Sequence, residues 1–478
     1  MAGLRRVPLY ERFAQELESQ ILAGTFPVGT RVPSIRETSL KRGISFSTVV
    51  QAYQLLENRG VLEARPQSGY YVALRPRLGT PEPDYSSDHS DPAEVSIDAV
   101  SVSLIRDTLK LDYAQFGAAM PDPALLPTAR LNRLLIDCAR GEESSISVGG
   151  SPAGREELRI QIAQRAFGFG SDLSPDDIII TAGCTEAVCL SLQATCAPGD
   201  LVAVESPTYF GILLALQAQH LRVLEIPSHP RTGMSLDALR FAVENHPVKA
   251  VVAMSSFSNP SGSLMSDGDK AEMVGFLAAR GIPLIEDDIN GELYFAEPRP
   301  RVTKSFDRTG NVLLCSSFSK DISPGYRTGW VAAGRHFDAV LRLKMSLNIR
   351  SPALPQLAIA RFLESGGYEH HLRAIRRAYA RKVDLLARSV AANFPAGTRI
   401  TEPQGGFVLW VQLPGRLDSM RLYREALKSF ITIAPGYIFS PSRKFDDFVR
   451  LNAASWSDGT EVDVARLGKL VARLLDAQ

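Results

Sequence analysis

Seven nearly continuous apolar runs, at residues 177–181, 201–205, 222–226, 250–254, 282–286, 312–316 and 330–333, constrain the fold of this chain more than any other feature. Strands half-exposed to water alternate in polarity, whereas strands buried on both faces do not. Helical stretches between several of the runs imply crossovers, so the expected fold is α/β with a mostly parallel seven-stranded sheet. In such sheets ligands bind beyond the carboxyl ends of the strands. Gly183 follows the first run, Asn259 the fourth, Asp287 the fifth and Lys320 the sixth.

Those positions carry a coherent chemistry. Lys320 lies in Ser-Ser-Phe-Ser-Lys-Asp-Ile-Ser-Pro-Gly-Tyr-Arg-Thr-Gly-Trp, residues 316–330, and a lysine held there can form a Schiff base with an aldehyde. Together with its company it supplies what pyridoxal 5'-phosphate requires: an amine, a carboxylate for the ring nitrogen, a donor for the ring oxygen and a cation for the phosphate. Asp287 is the carboxylate, with Asp288 beside it as the fallback. Asn259, aimed by a turn through Pro260 and Gly262, is the donor, and Tyr209 can stack on the ring. Gly183, Cys184 and Thr185, in Thr-Ala-Gly-Cys-Thr-Glu-Ala at 181–187, open a helix whose free amides suit an anion. Arg327 adds a forked pair of donors and Ser317 a hydroxyl, while Arg450 is the candidate for gripping a substrate or effector carboxylate.

The N-terminal region is built differently. Leu9, Phe13, Leu17 and Ile21 recur every four residues, which predicts an amphipathic helix. A second short helix is expected at about 34–41. After Gly43, Ser45 or Ser47 can cap a third, with Val49, Tyr53 and Leu56 on its apolar face. Two strand-like runs follow, joined by a turn around residues 67–69. Three helices and a hairpin make a winged helix-turn-helix over 1–75, and residues 76–97, rich in Pro, Ser and Asp, read as a linker.

Charge separates the two regions. The overall balance is +1, but residues 1–78 carry eleven Lys or Arg against six Asp or Glu, which suits a polyanion. Candidate contacts to double-stranded DNA are Arg36, Lys41, Arg42, Ser45, Ser47, Thr48 and the wing residues Gln67 and Ser68. No run of about 18 apolar residues occurs and no signal-peptide layout opens the chain, so a soluble cytoplasmic protein without a membrane partner is expected. The five cysteines form no Cys-x-x-Cys pair and the seven histidines no metal spacing; reduced thiols and no metal site are expected.

From about residue 110 onward the order and spacing of these residues resemble the fold-type I aminotransferases. Gly405 and Gly406 in Pro-Gln-Gly-Gly-Phe-Val-Leu-Trp and Ile-Ala-Pro-Gly at 433–436 match that family's small domain. The first 75 residues resemble the GntR winged-helix family, through Val-Pro-Ser-Ile-Arg-Glu at 32–37 and Ser-Thr-Val-Val-Gln-Ala-Tyr at 47–53. Both halves together are the arrangement of the MocR-type regulators. The resemblance implies an aminotransferase-like domain over 98–478, its large part about 130–345 and a small α+β part from 98–129 and 346–478. It also implies a head-to-tail homodimer, an operator, and an effector response routed through the cofactor.

Three departures from the family pattern are visible. Ile289 and Asn290 stand where a tyrosine usually shares the ring oxygen with the asparagine. No tyrosine occurs around residues 148–150, where one often reaches the partner's phosphate, and Phe46 replaces a common arginine in the DNA reader. Two readings follow: a regulator sensing an amino acid, amine or B6 vitamer through an aldimine at Lys320, or an aminotransferase with an accessory DNA-binding domain. A cofactor-free scaffold is the third class.

Overall fold

The computed structural model describes residues 8–22, 25–26, 30–58, 61–65, 68–72, 80–83, 91–95, 103, 106–107, 110, 112–141 and 150–478. The chain forms two compact units, one of Met1–Thr80 with Phe295–Pro298 and one of Pro81–Tyr294 with Arg299–Gln478. Gln67 lies outside the described residues.

The smaller unit contains helices α1 (Leu9–Leu22), α2 (Ile35–Arg42) and α3 (Phe46–Asn58), then strands β1 (Leu62–Arg65) and β2 (Gly69–Val72). Local chemistry sets its boundaries. Ser34 caps α2 by accepting from the Glu37 amide, and Gly43 ends that helix in the left-handed conformation that a side chain would disfavour. Of the two candidate caps for α3 it is Ser45 that acts, its Oγ accepting from the Thr48 amide at 3.1 Å. β1 and β2 pair antiparallel as the wing, and Arg31 bridges to Tyr71 alongside them. Phe13, Leu17, Val49, Tyr53, Leu56 and Leu62 form one core. The Tyr53 hydroxyl satisfies its buried oxygen by donating to the Pro33 carbonyl at 2.8 Å.

The larger unit is organised by β3 (Ala93–Glu94), β4 (Ala114–Gln115), β5 (Ile178–Thr181), β6 (Leu201–Ser206), β7 (Arg222–His229), β8 (Gly233–Met234), β9 (Val248–Ala253), β10 (Leu284–Asp287), β11 (Val312–Ser317) and β12 (Gly329–Ala332). All seven apolar runs are strands of one sheet, ordered β3-β7-β6-β9-β10-β11-β12-β5 with β8 on β7. β7, β6, β9, β10 and β11 run parallel, whereas β12 is antiparallel to both of its neighbours. Its four buried residues look the same in either direction, so their polarity carries no sign of orientation.

The linker expectation for 76–97 is corrected at two places, residue 81 and residues 93–94. Ala93–Glu94 pairs antiparallel with β7, and the Pro81 carbonyl accepts from the Ile400 amide, so these parts belong to the larger unit. Arg231 also pairs with Glu82 at 2.6 Å.

A second sheet of four antiparallel strands, Arg399–Ile400, Val408–Gln412, Phe448–Asn452 and Ala434–Pro435, lies beside helices Gly367–Asn393, Ser419–Lys428 and Thr460–Asp476. β4 joins this region by pairing with Ile431–Thr432. Residues 114–115 therefore pack with the C-terminal third of the chain. All five cysteines are free thiols. Among the described residues no helix is long and apolar enough to cross a membrane, and no group of three His, Cys, Asp or Glu could hold a metal ion.

Candidate functional site

The carboxyl ends of β5, β9, β10 and β11 open onto one cavity of about 400 Å³. Eight of the expected residues line it: Lys320, Asp287, Asn259, Tyr209, Cys184, Thr185, Arg327 and Arg450.

Lys320 follows β11 by three residues, and its Nζ donates to the Ala119 carbonyl at 2.6 Å. Burial, reinforced by the positive charge of Arg450, lowers its pKa to about 8. A neutral amine is the nucleophile and the base, so this environment readies Lys320 for either role at ordinary pH.

Asp287 is the last residue of β10 and is buried. Burial raises its pKa, while the Cys184 thiol, donating to Oδ1 at 3.2 Å, and the Ile289 amide at 3.1 Å pull the other way. Both donors take Oδ1, which leaves Oδ2 for a ligand. A cation brought against it would be stabilised by a carboxylate that has few other partners. Asp288 points elsewhere: it accepts from Arg299 at 2.6 Å and does not line the cavity.

Asn259 is carried by a turn in which the Gly262 amide donates to the Ser258 carbonyl at 2.7 Å. Its Oδ1 accepts from Arg450 Nη1 at 3.0 Å. Arg450, in strand Phe448–Asn452, is 1 % exposed, and its Nη2 donates to the Gly117 carbonyl. Among the described residues no carboxylate pairs with it and its Nε has no partner, and burial lowers its pKa to about 10. A buried guanidinium held only by neutral acceptors costs several kcal/mol of desolvation, and an incoming carboxylate would offset that cost.

Gly183 precedes the helix Cys184–Thr195, whose first two residues line the cavity, with φ of 99°. A Cβ there would lie 2.6 Å from Arg327 Nη2, so only glycine admits the guanidinium this close to the helix N-terminus. Arg327 Nη2 also donates to the Ala182 carbonyl at 2.8 Å. Free helix amides and a guanidinium form an anion cradle.

Ser317 is not in the lining; its Oγ accepts from the Ser319 amide at 3.3 Å. Ser319 lines the cavity instead, 7 % exposed, with an Oγ that has no hydrogen-bond partner. A buried hydroxyl without a partner lacks the acceptor that such groups ordinarily have. It was legible in Ser-x-Ser-Lys as the hydroxyl next to the lysine. Phe407 was missed as well: Lys320 Nζ lies 5.9 Å from its ring centroid. Ile289 presents an alkyl group to the cavity, and the Asn290 amide is occupied with the Phe257 carbonyl at 2.9 Å.

These groups fit pyridoxal phosphate: an amine, a buried carboxylate, an amide donor, a ring to stack on and a phosphate cradle. Of the expected DNA contacts, Ser45, Ser47 and Thr48 cluster at the start of α3. Lys41 and Arg42 pair with Glu37 at 2.7 Å and Glu16 at 2.8 Å, Arg36 is exposed, and Ser68 Oγ shares a hydrogen bond with the Tyr71 hydroxyl. Exposed pairs of this kind are worth little and exchange readily for phosphates.

A winged helix in one unit and an aminotransferase-type sheet with a lysine-bearing cavity in the other define a two-module protein. Residues 119–466 match the aminotransferase class I and II family, and residues 9–72 match the bacterial regulatory proteins of the gntR family. YdcR of Escherichia coli K12, named an uncharacterized HTH-type transcriptional regulator, is 38% identical over 98% of this chain and 99% of its own. The 2-aminoadipate transaminase of Thermus thermophilus is 29% identical over 79% of this chain and 95% of its own. The crystal structure of LysN, an α-aminoadipate aminotransferase from Thermus thermophilus complexed with N-(5'-phosphopyridoxyl)-L-leucine, superimposes with a TM-score of 0.74 at 26% identity, covering 78% of this chain and 96% of that one. The chain belongs to the GntR-type regulators of the MocR kind, in which a winged helix is joined to an aminotransferase class I and II domain.

Proposed function

We propose that this protein is a pyridoxal 5'-phosphate-dependent transcription regulator that senses an amino acid, an amine or a B6 vitamer at Lys320 and acts as a head-to-tail homodimer on a DNA operator. The observation that carries the reading is Arg450: a buried guanidinium, unpaired with any carboxylate among the described residues, in the same cavity as Lys320 and Asp287, within a chain that also bears a winged helix. It favours an α-amino acid over a plain amine.

When bound, the cofactor supplies an aldehyde carbon for amine exchange and an electron-poor ring. Lys320 would hold it, Asp287 would keep its ring nitrogen protonated, Asn259 would donate to its ring oxygen and Tyr209 would cover one face. Gly183, Cys184 and Thr185, with Arg327, Ser319 and Ser317 behind it, would hold the phosphate. Arg450 would orient the ligand's carboxylate, and neutral Lys320 could take or return a proton at the ligand's α-carbon. A ligand shifts the DNA-binding equilibrium only if it favours one arrangement of the protein over another.

A second reading, an aminotransferase working on bulk substrate, is favoured by the completeness of the cavity. Ile289 and the occupied amide of Asn290, where a phenol is usual, weigh toward sensing. Turnover with amino donor and 2-oxo acid separates the two: an enzyme reaches about 1 to 1000 per second, whereas a sensor stays far below. Failure of the purified protein to bind any fragment of its own upstream region at low salt would remove the regulator reading.

A further inference from the structure

Helix α3 buries Val49, Ala52, Tyr53 and Leu56 and leaves Phe46, Ser47, Gln51 and Gln54 exposed. Phe46 is its first residue and is 58% exposed. The helix contains no lysine or arginine. A large ring held in water at the start of a reading helix, on a face otherwise made of a hydroxyl and two amides, is unusual for a phosphate-binding surface. It suits an apolar target.

We propose that Phe46 is a DNA-specificity residue that packs on the 5-methyl group of a thymine in the major groove, so that α3 reads A·T pairs. The proposal deepens the regulator reading and rests on it. In helix-turn-helix proteins the N-terminal residues of the second helix of the motif reach the base edges. The thymine methyl is the one apolar group that the major groove displays, and phenylalanine is among the side chains that contact it. Gln51 and Gln54 share the exposed face, and a glutamine amide matches the adenine edge in two hydrogen bonds. Guanine recognition calls for a forked or point cation, which α3 lacks.

The charges that complement phosphate lie on the preceding helix instead. Arg36, Lys41 and Arg42 are all exposed on α2. Phosphate contacts thus come from α2 and base contacts from α3. Ser45 accepts from the Thr48 amide and shares hydrogen bonds with Ser47 at 2.9 Å and Thr48 at 2.7 Å, which fixes the backbone that presents Phe46.

The full-length protein is used to enrich binding sites from random duplexes, and each thymine of the enriched half-site is then replaced by uracil. That change deletes the methyl and preserves base pairing. Removal of one buried methyl is expected to weaken binding about three- to fivefold at one thymine per half-site. Phe46→Ala should bind the two duplexes equally, and Phe46→Arg should move the enriched base toward guanine. Because the side chain is exposed, both variants should melt as the wild type does, which separates a reading defect from a folding defect. Tolerance of uracil at every position, or the same uracil penalty in Phe46→Ala, overturns the proposal while leaving DNA binding intact. Enrichment of no duplex at low salt overturns this proposal and the regulator reading together.

Discussion

Arg450 Nη1 donates to Asn259 Oδ1 at 3.0 Å, and this contact fixes which way the amide faces. A guanidinium has donors only, so the atom turned to it must be the oxygen, and Nδ2 becomes the end available to the cavity. The residue proposed to grip a carboxylate therefore also orients the donor proposed for the cofactor's ring oxygen. Asn259→Asp removes that donor and places a carboxylate on Arg450. Affinity for ligands bearing a carboxylate should fall on the order of 10- to 100-fold, as loss of a charged hydrogen-bond partner implies, while plain amines lose much less. Spectral titration of the bound cofactor with an amino acid and with its decarboxylated amine gives the comparison.

Ser319 offers a test in which affinity and stability part company. Its Oγ is buried without a partner, so Ser319→Ala should leave the melting temperature of the cofactor-free protein unchanged or slightly raised. Cofactor affinity should drop about 2- to 10-fold, the worth of one net hydrogen bond. A loss of stability without a loss of affinity would assign the hydroxyl to the fold instead of the phosphate.

The lowered pKa of Lys320, about 8 against an ordinary 10.5, has a definite sign. The folded protein disfavours the ammonium, so burial costs stability below about pH 8, and that cost fades as pH rises from about 8 toward 10.5. The neutral amine is about one-tenth of the population at pH 7 and about half at pH 8. Cofactor capture by the cofactor-free protein, followed by stopped-flow absorbance, should therefore speed up through pH 7 to 9 with a midpoint near 8. A midpoint near 10 would mean that the lysine is solvated.

How much of this could be read from the chain differs by element. The seven strands were legible because burial on both faces leaves runs without alternation. The reversed direction of Gly329–Ala332 was not, since a short apolar run has no polarity. The edge strand Ala93–Glu94 is two residues long within a polar, proline-rich segment and had no periodicity to show. Lys320, Asp287 and Asn259 stand where strand ends put them. By contrast, the Ala119 carbonyl that holds Lys320 is 201 residues away, and the Arg450 to Asn259 contact spans 191. Packing between distant segments makes such pairs, and no local pattern announces them. Asp287 was the expected carboxylate and its neighbour Asp288 the fallback, and the structure turns the first to the cavity and the second to Arg299.

DNA binding carries its own prediction. Arg36 is exposed on α2, and if it contacts a phosphate, Arg36→Ala should weaken binding across sequences alike and reduce the slope of log K against log salt by about 0.9. Titrations at several salt concentrations measure the slope. A change in sequence preference with no change in slope would place Arg36 at a base edge.

The central claim joins the two units through the ligand, and it is tested most directly by DNA affinity of the cofactor-loaded full-length protein with and without candidate amino acids, amines and B6 vitamers. The account predicts that at least one of them shifts affinity about 5- to 150-fold, the usual range of coupling between sites, and that Lys320→Ala abolishes the shift while still binding DNA. Superimposable binding curves for every ligand that visibly alters the cofactor spectrum would contradict it.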